Sequence, residues 1–429
     1  MTMIKVVIAL WGLLTCSLFA QHKNIPLQDP YDVFPLFYKG IESAAGGEWD
    51  TAHRQFKTVV NRVSWHLDAA LYLDICEDVR AKRIKPNSFR DVFQALNSIN
   101  NGQDTSRALI QITRMISAHP DYFAFYLIRA KVYEKLPNPE QALFDFDRAV
   151  DLQPDYALSY HFRGRLLSDM NRRDEALHDF HQTLRLHPRH LPTLVRRGIL
   201  YAGLDSLQAS YEDLKLAMQI SAIYTQDFRL VEIFNRVGLY YLSRQNNLQA
   251  VEAFDWAIEV DDTWSEPFLN RGIAFRNLKN FNQAITDFDR AIALDSTLVS
   301  AYYHRALAHK ANQDLIAAER DLQTAAHLEV SDPRIYQNLG EIYFAQGRDD
   351  EAILVFKKVQ QFDENDRWAN YWIGFAFDRK KDYYQAIHYY RAFLADPPTN
   401  AALFIKRIQR RVEKINQWIK RKNQGGIPQ

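Results

Sequence analysis

The chain has 429 residues and a near-neutral charge balance, with 53 Lys and Arg against 52 Asp and Glu. A single globular core of this length would be oversized, whereas an array of repeats buries its apolar surface between neighbouring units. The lack of a basic excess argues against a general nucleic-acid binder.

The N-terminal segment predicts a secretory leader. Lys5 precedes an almost wholly apolar run over 6–19, and polar residues follow Ala20, which is the layout of a signal peptide cleaved after Ala20. The alternative is a lipid anchor at Cys16, because the residues before it distantly resemble a bacterial lipoprotein box. We therefore expect an exported protein, periplasmic or envelope-associated, in which cleavage leaves Cys76 as the one cysteine.

Small residues recur along the rest of the chain with a period of 34. A glycine or alanine usually stands twelve residues before each of them, and an aromatic residue or leucine stands four residues after. This pattern predicts helix hairpins, in which the earlier small residue lets two backbones approach and the aromatic ring fills the space beside them. The periodic positions are Ala108, Ala142, Ala176, Ser210, Ala250, Ala284, Ala318, Ala352 and Ala386.

These phase-locked positions resemble the tetratricopeptide repeat family. A degenerate unit over 33–66 is anchored by Gly40, Ala52 and Phe56. The resemblance implies an all-α fold, a tetratricopeptide-type α-solenoid in which hairpins form a right-handed superhelix. It also implies that the first helix of each hairpin, helix A, lines a concave groove, and that helix B lies outside it. The clear units are 89–122, 123–156, 157–190, 191–224, 231–264, 265–298, 299–332, 333–366 and 367–400.

Two interruptions divide the array. The first leaves an extra helical insert near 67–88, and the second adds six residues at 225–230, which we interpret as a bend. The expected divisions are a signal peptide at 1–20, an N-terminal sub-array at 21–224, a C-terminal sub-array at 231–400, and a capping helix with a tail at 401–429.

Arginine precedes the small helix A residue in five units, and aspartate stands sixteen residues later in the same five. Where the first position is apolar, as at Val237, Leu339 and Ile373, the second carries no charge. Joint switching of this kind predicts contact between helix A and helix B, and the alternative is an anion-binding ladder of arginines. The pairs are Arg129 with Asp145, Arg163 with Asp179, Arg197 with Asp213, Arg271 with Asp287, and Arg305 with Asp321.

The family resemblance places the residue two positions before the small residue of helix A on the concave face. This row is polar from Arg196 to Asn338, although the chain lacks the full Lys and Asn clamp pattern of some relatives. Such side chains could bind the amides of an extended peptide, the alternative being a solvated helix face. We expect Asn270 and Asn338 to face solvent. The predicted groove residues are Arg196, Arg236, Asn270, Tyr303, His304, Gln337, Asn338 and Trp372.

The last repeat is aromatic and the closing helix is basic. Trp368 and Trp372 would form a glycan platform if both were coplanar and exposed. Residues 401–422 alternate apolar and basic side chains at helical spacing. They predict a capping helix, with contact to an anionic membrane or partner surface as the alternative.

No catalytic motif stands out. There is no nucleophile elbow, phosphate loop or paired-carboxylate signature, and His178 and His181 have no third metal ligand of fixed geometry. We therefore predict no enzyme activity, metal, cofactor or nucleic-acid ligand. The predicted function is a protein–protein interaction scaffold of the bacterial cell envelope that binds an extended peptide or partner protein in its groove. A glycan or cell-wall binding module is the alternative.

Overall fold

The computed structural model describes residues 33–63, 66–100, 105–136, 138–221, 228–362, 366–398 and 401–423. These ranges contain 22 helices and no strand, so the all-α prediction is confirmed for them. The predicted signal peptide at 1–20, the lipid site at Cys16 and the first part of the predicted bend, 225–227, lie outside the described residues. The chain divides into two compact units, an N-terminal unit of 1–221 and a C-terminal unit of 222–429.

The N-terminal unit is an all-α solenoid of hairpins with one additional helix. The hairpins pair α1 with α2, α4 with α5, α6 with α7, α8 with α9, and α10 with α11, while α1 also packs against α4 and α3 packs against α2. The additional helix, α3, therefore stands outside the alternation of A and B helices. The helices are α1 (Phe34–Gly46), α2 (Trp49–Arg62), α3 (Leu67–Arg80), α4 (Pro86–Asn100), α5 (Thr105–Ala118), α6 (Phe123–Lys135), α7 (Pro139–Leu152), α8 (Ala157–Asp169), α9 (Arg173–Leu186), α10 (Leu191–Gly203) and α11 (Leu207–Ile220).

The C-terminal unit contains five hairpins and a closing helix, α22, which packs against α21. Its first helix, α12, has 16 residues against 13 in α14, so the end of the 225–230 insertion lengthens a helix. The helices are α12 (Phe228–Ser243), α13 (Asn247–Val260), α14 (Ser265–Asn277), α15 (Phe281–Leu294), α16 (Val299–Ala311), α17 (Leu315–Leu328), α18 (Pro333–Gln346), α19 (Asp349–Phe362), α20 (Arg367–Arg379), α21 (Tyr383–Ala395) and α22 (Ala402–Asn423).

Glycine brings helix A close to helix B within a hairpin. A Cβ added to Gly272 would lie 2.6 Å from Cε1 of Phe288, and one added to Gly374 would lie 2.8 Å from Cδ1 of Tyr390. Real carbon atoms do not approach so closely, and both rings are buried. The ring sixteen residues after the glycine therefore occupies the space that a side chain would take, which sets the distance between the two helices.

Polar side chains cap the starts of several helices. The Asp366 carboxylate accepts hydrogen bonds from the backbone N–H groups of Trp368 and Ala369 at the start of α20. Asp314 accepts from Ala317 N–H at the start of α17. Such caps satisfy donors that have no partner within the helix, so they help to fix where each helix begins.

Candidate functional site

Five arginines bind the aspartates with which the sequence pairs them. Arg271 donates from Nε to Asp287 Oδ2 at 2.8 Å and from Nη2 to Oδ1 at 2.6 Å. All five aspartates are buried, and each bond joins helix A to helix B of one hairpin. The same two-bond geometry joins Arg129 to Asp145, Arg163 to Asp179, Arg197 to Asp213, and Arg305 to Asp321.

Three of these arginines also reach the preceding hairpin. The Nη1 group of Arg271 donates to Asp255 on α13 at 2.6 Å. Arg163 reaches Asp147 at 2.9 Å and Arg305 reaches Asp289 at 2.6 Å in the same way. This second aspartate is not among the predicted pairs, although it stands sixteen residues before each of these three arginines and so follows the same period.

The aspartates neutralise the charge of the arginines that they bind. Burial raises the pKa of Asp287, and the hydrogen bonds and charge of Arg271 oppose that rise. The arginine thus offsets the cost of burying the carboxylate, which is the usual energy balance of a buried ion pair. An arginine held by two carboxylates has little charge left for a ligand, so the geometry favours the structural pairs over an anion-binding ladder.

Helix α3 covers the helix A face of α6 and reaches α8. Tyr122 donates its hydroxyl to Asp78 at 2.5 Å, and Tyr156 donates to Asp74 at 2.7 Å. Nearer the start of α3, Asp68 pairs with Lys131 of α6. The insert predicted near 67–88 is therefore a helix that runs along α6 towards α8, where a bound peptide would otherwise lie.

Apolar residues fill this covered face. Ile128 and Phe162 stand two positions before the small residue of their A helices, where the groove is predicted. Both are fully buried in one cluster with Leu71 and Ile75 of α3. The Lys131 ammonium group lies 4.2 Å from the centre of the Phe162 ring, which links the ion pair to the apolar layer. The predicted groove residues thus change from apolar, at Phe162, to polar, at Arg196, where the cover provided by α3 ends.

Arg196 is the predicted groove residue that remains exposed in the N-terminal unit. Its Nη1 lies 3.3 Å from Asp169 Oδ1 at the end of α8. This is a surface ion pair, which contributes little to stability.

Polar side chains in the C-terminal unit connect each helix A to the next. Asn270 of α14 donates to Asn235 of α12 at 2.9 Å. Arg276 of α14 lies 2.8 Å from Nδ1 of His304 on α16. Asn338 of α18 donates to the Tyr303 hydroxyl of α16 at 3.3 Å. We call this set, which also includes Lys310, the polar ladder.

Lys310 and Gln337 extend these connections. The Lys310 ammonium group donates to Asn338 Oδ1 at 3.2 Å and pairs with Glu341. Gln337 donates to Asp366, the cap of α20, at 3.1 Å. Arg236 is partly buried on α12 and has further interactions within the protein.

The expectation that Asn270 and Asn338 face solvent holds only in part. Both are only partly exposed, and Asn338 makes bonds to Tyr303, Lys310 and the Arg334 carbonyl. A side chain between two helices can bond to both, so the position that would meet a peptide also contributes to packing between repeats. Alanine at Asn338 would therefore remove contacts between repeats.

His304 is held in its neutral form. Burial lowers its pKa to about 3, and the positive charges of Arg276 and Arg334 add to the shift. A neutral imidazole can accept the Arg276 N–H at Nδ1, whereas a protonated one cannot. The bond between α14 and α16 therefore depends on a histidine without its second proton.

The two tryptophans of the last repeat do not form an open platform. Trp368 meets Phe404 edge-on, with ring centres 5.0 Å apart, and also packs near Phe393. Trp372 stacks on Phe356 at 6.0 Å. Both are only partly exposed and pack against other aromatic rings, so the open coplanar pair required for the glycan alternative is not formed.

The described residues contain no group of three or more His, Cys, Asp or Glu side chains arranged to hold a metal. His181 lies 2.8 Å from the Tyr201 hydroxyl, which provides its ring with a hydrogen-bond partner inside the hairpin array. Among the helices in the described ranges, none is long and apolar enough to cross a membrane.

Family models identify the repeats along both units. Models described as tetratricopeptide repeat match residues 123–156 and 157–192, and one described as TPR repeat matches 272–313 and 340–381.

Solved structures with similar folds include the following three. The crystal structure of MamA protein is 25% identical, covers 39% of this chain and 91% of its own, and has a TM-score of 0.37. The Pseudomonas aeruginosa pilF structure is 19% identical, with coverages of 46% and 94% and a TM-score of 0.37. A tetratricopeptide repeat protein from Parabacteroides merdae ATCC 43184 is 17% identical, with coverages of 68% and 99% and a TM-score of 0.28.

The helix hairpins, their 34-residue period and the family-model matches in both units agree. The chain is a tetratricopeptide repeat protein.

Proposed function

We propose that the C-terminal unit binds an extended segment of a partner protein along the helix A face of α14, α16 and α18. The protein would then be a non-enzymatic scaffold of the bacterial cell envelope. Its tetratricopeptide repeats support a role in protein–protein interaction. The single observation that carries the more specific proposal is the polar ladder, which places amide, hydroxyl and cationic groups on three successive A helices.

The polar ladder suits an extended peptide because its side chains are already held in place. Bonds between neighbouring helices restrict Asn338, Tyr303 and Arg276 before any ligand arrives, so binding loses less side-chain entropy. Amides and hydroxyls have both donors and acceptors, which match the alternating N–H and C=O groups of a peptide backbone.

Arg276 adds an attractive charge. Its guanidinium group bonds to His304 and Asn277 and has no carboxylate partner among the described residues. It differs in this respect from the five arginines paired with aspartate. An acidic side chain or a carboxylate of the partner would provide the missing opposite charge.

The covered face of the N-terminal unit directs the proposal to the C-terminal unit. In the N-terminal unit, α3 occupies the helix A side of α6 and α8 through Tyr122, Tyr156 and Lys131. A peptide would have to displace this helix. The apolar leader over 1–20 is the basis for proposing the cell envelope as the site of action.

A photo-crosslinking experiment tests the surface. A photoreactive residue replaces Arg334, which is exposed beside the polar ladder, or Arg320, an exposed arginine on helix B of the neighbouring hairpin. We expect a partner from envelope extracts to crosslink at position 334 and not at position 320. Equal crosslinking at both positions would contradict a groove-binding function.

The purified partner then permits an affinity measurement. We expect Arg276→Ala to weaken binding roughly tenfold, because a charged hydrogen bond contributes more than a neutral one. The matched control, Arg320→Ala, should leave affinity unchanged. Thermal unfolding of both variants shows whether a loss of binding comes from a loss of structure.

A further inference from the structure

A second feature of the C-terminal unit is a basic pocket between α20 and α22. The pocket has a cavity volume of about 640 Å³ and opens to solvent. One wall is formed by Tyr371 and Phe375 of α20, and the other by basic residues of α22. The basic residues of this wall are Lys406, Arg407, Arg410, Arg411 and Lys414.

Most of the charge on this wall is not compensated. Arg411 is neutralised, because it binds both oxygens of Asp378 at 2.8 and 2.6 Å. The other four basic residues of the wall are exposed and form no ion pair with the described residues. Glu413 is the one acidic residue of α22, and it does not line the pocket. The pocket therefore presents several cationic donors without internal partners.

The pocket also offers apolar surface beside its charges. Phe375 is partly exposed in the wall formed by α20, and Leu403 of α22 leaves 84% of its surface exposed at the pocket. Tyr371 is largely buried and stacks with Phe375 at 6.2 Å, so this wall is rigid. A ligand that carries both negative charge and an apolar side chain would contact both kinds of surface.

We propose that this pocket binds an acidic segment of a partner protein, with carboxylates on Lys406, Arg410 and Lys414 and an apolar side chain against Phe375 and Leu403. The inference rests on the proposed function, because α20 follows α18 in the order of A helices and the segment would extend from the polar ladder into the pocket. It names the chemistry of the partner as acidic and partly apolar.

The geometry favours a protein segment over a membrane surface. The apolar face of α22 is committed to the core, since Ile408, Val412 and Ile415 are buried in one cluster with Tyr390 and Phe393. Such a helix cannot insert that face between lipids. The four unpaired basic side chains line a concave pocket, which a flexible chain can enter and a flat surface cannot.

The test measures binding of a short fluorescent peptide in which glutamates flank one phenylalanine, using the full chain. The pocket variant carries Lys406→Glu and Arg410→Glu. The matched control carries Lys420→Glu and Arg421→Glu, which make the same charge change on the same helix outside the pocket. We expect the pocket variant to bind at least tenfold more weakly and the control to bind within about twofold of the unaltered protein.

Further measurements identify the source of binding. Added salt should weaken the peptide complex, and a peptide with glutamine in place of glutamate should not bind. If both double variants lose affinity equally, diffuse charge explains the binding and the pocket proposal is overturned. It is also overturned if the glutamate peptide fails to bind, or if anionic vesicles or single-stranded DNA bind through the pocket in its place. Lys406→Gln with Arg410→Gln gives the same comparison without charge reversal if the first variant unfolds.

The two proposals fail in different ways. If the native partner loses affinity with Arg276→Ala but not with the pocket variant, the groove function stands and the acidic pocket does not. If the pocket variant loses the partner and Arg276→Ala does not, the polar ladder is not the binding surface.

Discussion

At the residue scale, three arginines each join two hairpins. Each binds one aspartate sixteen residues before it and another sixteen residues after it. Arg271 holds Asp287 within its own hairpin and Asp255 on the preceding one. Asp287 is buried whereas Asp255 is exposed. The bond to Asp287 therefore prevents a buried unpaired charge, while the bond to Asp255 is a weaker surface contact between repeats.

A double-mutant cycle measures the energetic coupling between Arg271 and Asp287. Arg271→Leu should lower the free energy of unfolding by about 3 kcal/mol, because it leaves Asp287 buried without its partner. Adding Asp287→Val should restore most of the loss, because two apolar side chains can fill these positions, as Val237 with Ala253 and Leu339 with Val355 do in other hairpins. Chemical denaturation followed by circular dichroism measures both variants.

An exposed arginine on the same hairpin provides the control. Arg290 lies 3.9 Å from Asp262, and Arg290→Leu should change the free energy of unfolding by at most about 1 kcal/mol. If the double variant is no more stable than Arg271→Leu alone, the two side chains are not energetically coupled.

At the element scale, α3 explains why the two units offer different surfaces. Two tyrosines that precede A helices, Tyr122 and Tyr156, donate to carboxylates on α3. Partial burial raises the pKa of Asp74, and the hydrogen bond from Tyr156 opposes that rise. A helix held by part-buried hydrogen bonds and by a buried apolar face is part of the folded unit, so it closes the face that a peptide would otherwise use.

Loss of one tyrosine hydroxyl should loosen α3. Tyr156→Phe removes the donor to Asp74, and we expect amide hydrogen exchange within α3 to become roughly five- to tenfold faster, in line with about 1 kcal/mol for one hydrogen bond. Tyr160→Phe on the same α8 is the control, because no described residue bonds to the Tyr160 hydroxyl. Equal exchange rates in the two variants would mean that the Tyr156 bond does not hold α3.

At the scale of the whole molecule, three histidines that lie wholly or partly inside the fold make stability depend on pH. Burial is the main cause that lowers the pKa of His190 to about 4 and that of His304 to about 3, and it lowers the pKa of His161 well below its usual value. His161 and His190 each lie 2.7 Å from the Thr193 hydroxyl. All three are neutral in the folded chain at neutral pH.

The neutral form of these histidines predicts that the protein loses stability in acid. Unfolded histidines bind protons below about pH 6.5, while the folded ones do not until the pH reaches their lowered pKa values. Stability is therefore fully present above about pH 6.5 and falls as the pH decreases, by about 1.4 kcal/mol per pH unit for each such histidine. Urea unfolding at a series of pH values measures the slope.

The contribution of one histidine can be separated from the rest. His304→Gln keeps a hydrogen-bonding side chain near Arg276 but does not titrate, so it should reduce the pH dependence of the C-terminal unit. His388→Gln replaces an exposed histidine and should leave that dependence unchanged. An unaltered slope in His304→Gln would show that His304 is not held neutral by the fold.

Much of the fold follows from periodicity, because each repeat meets neighbours at a constant distance along the chain. The Gly272 and Phe288 contact recurs in other hairpins at the same spacing, so a pattern search finds it. The Arg and Asp pairs are detectable for the same reason. The position two before the small helix A residue locates Asn270, His304 and Asn338 of the polar ladder. The bonds between helices are not found in this way, since they depend on side-chain reach and not on spacing alone.

The sequence by itself determined the all-α hairpin array and the pairing of arginine with aspartate inside a hairpin, because local repeats encode local contacts. Only the tertiary structure decided where α3 lies, which groove side chains bond to one another, and how α20 and α22 enclose a basic pocket. The Asp74 and Tyr156 contact, for example, joins residues 82 positions apart through a helix that is not part of the 34-residue repeat. Contacts outside the period leave no regular trace in the sequence, so they are set when the folded helices come together.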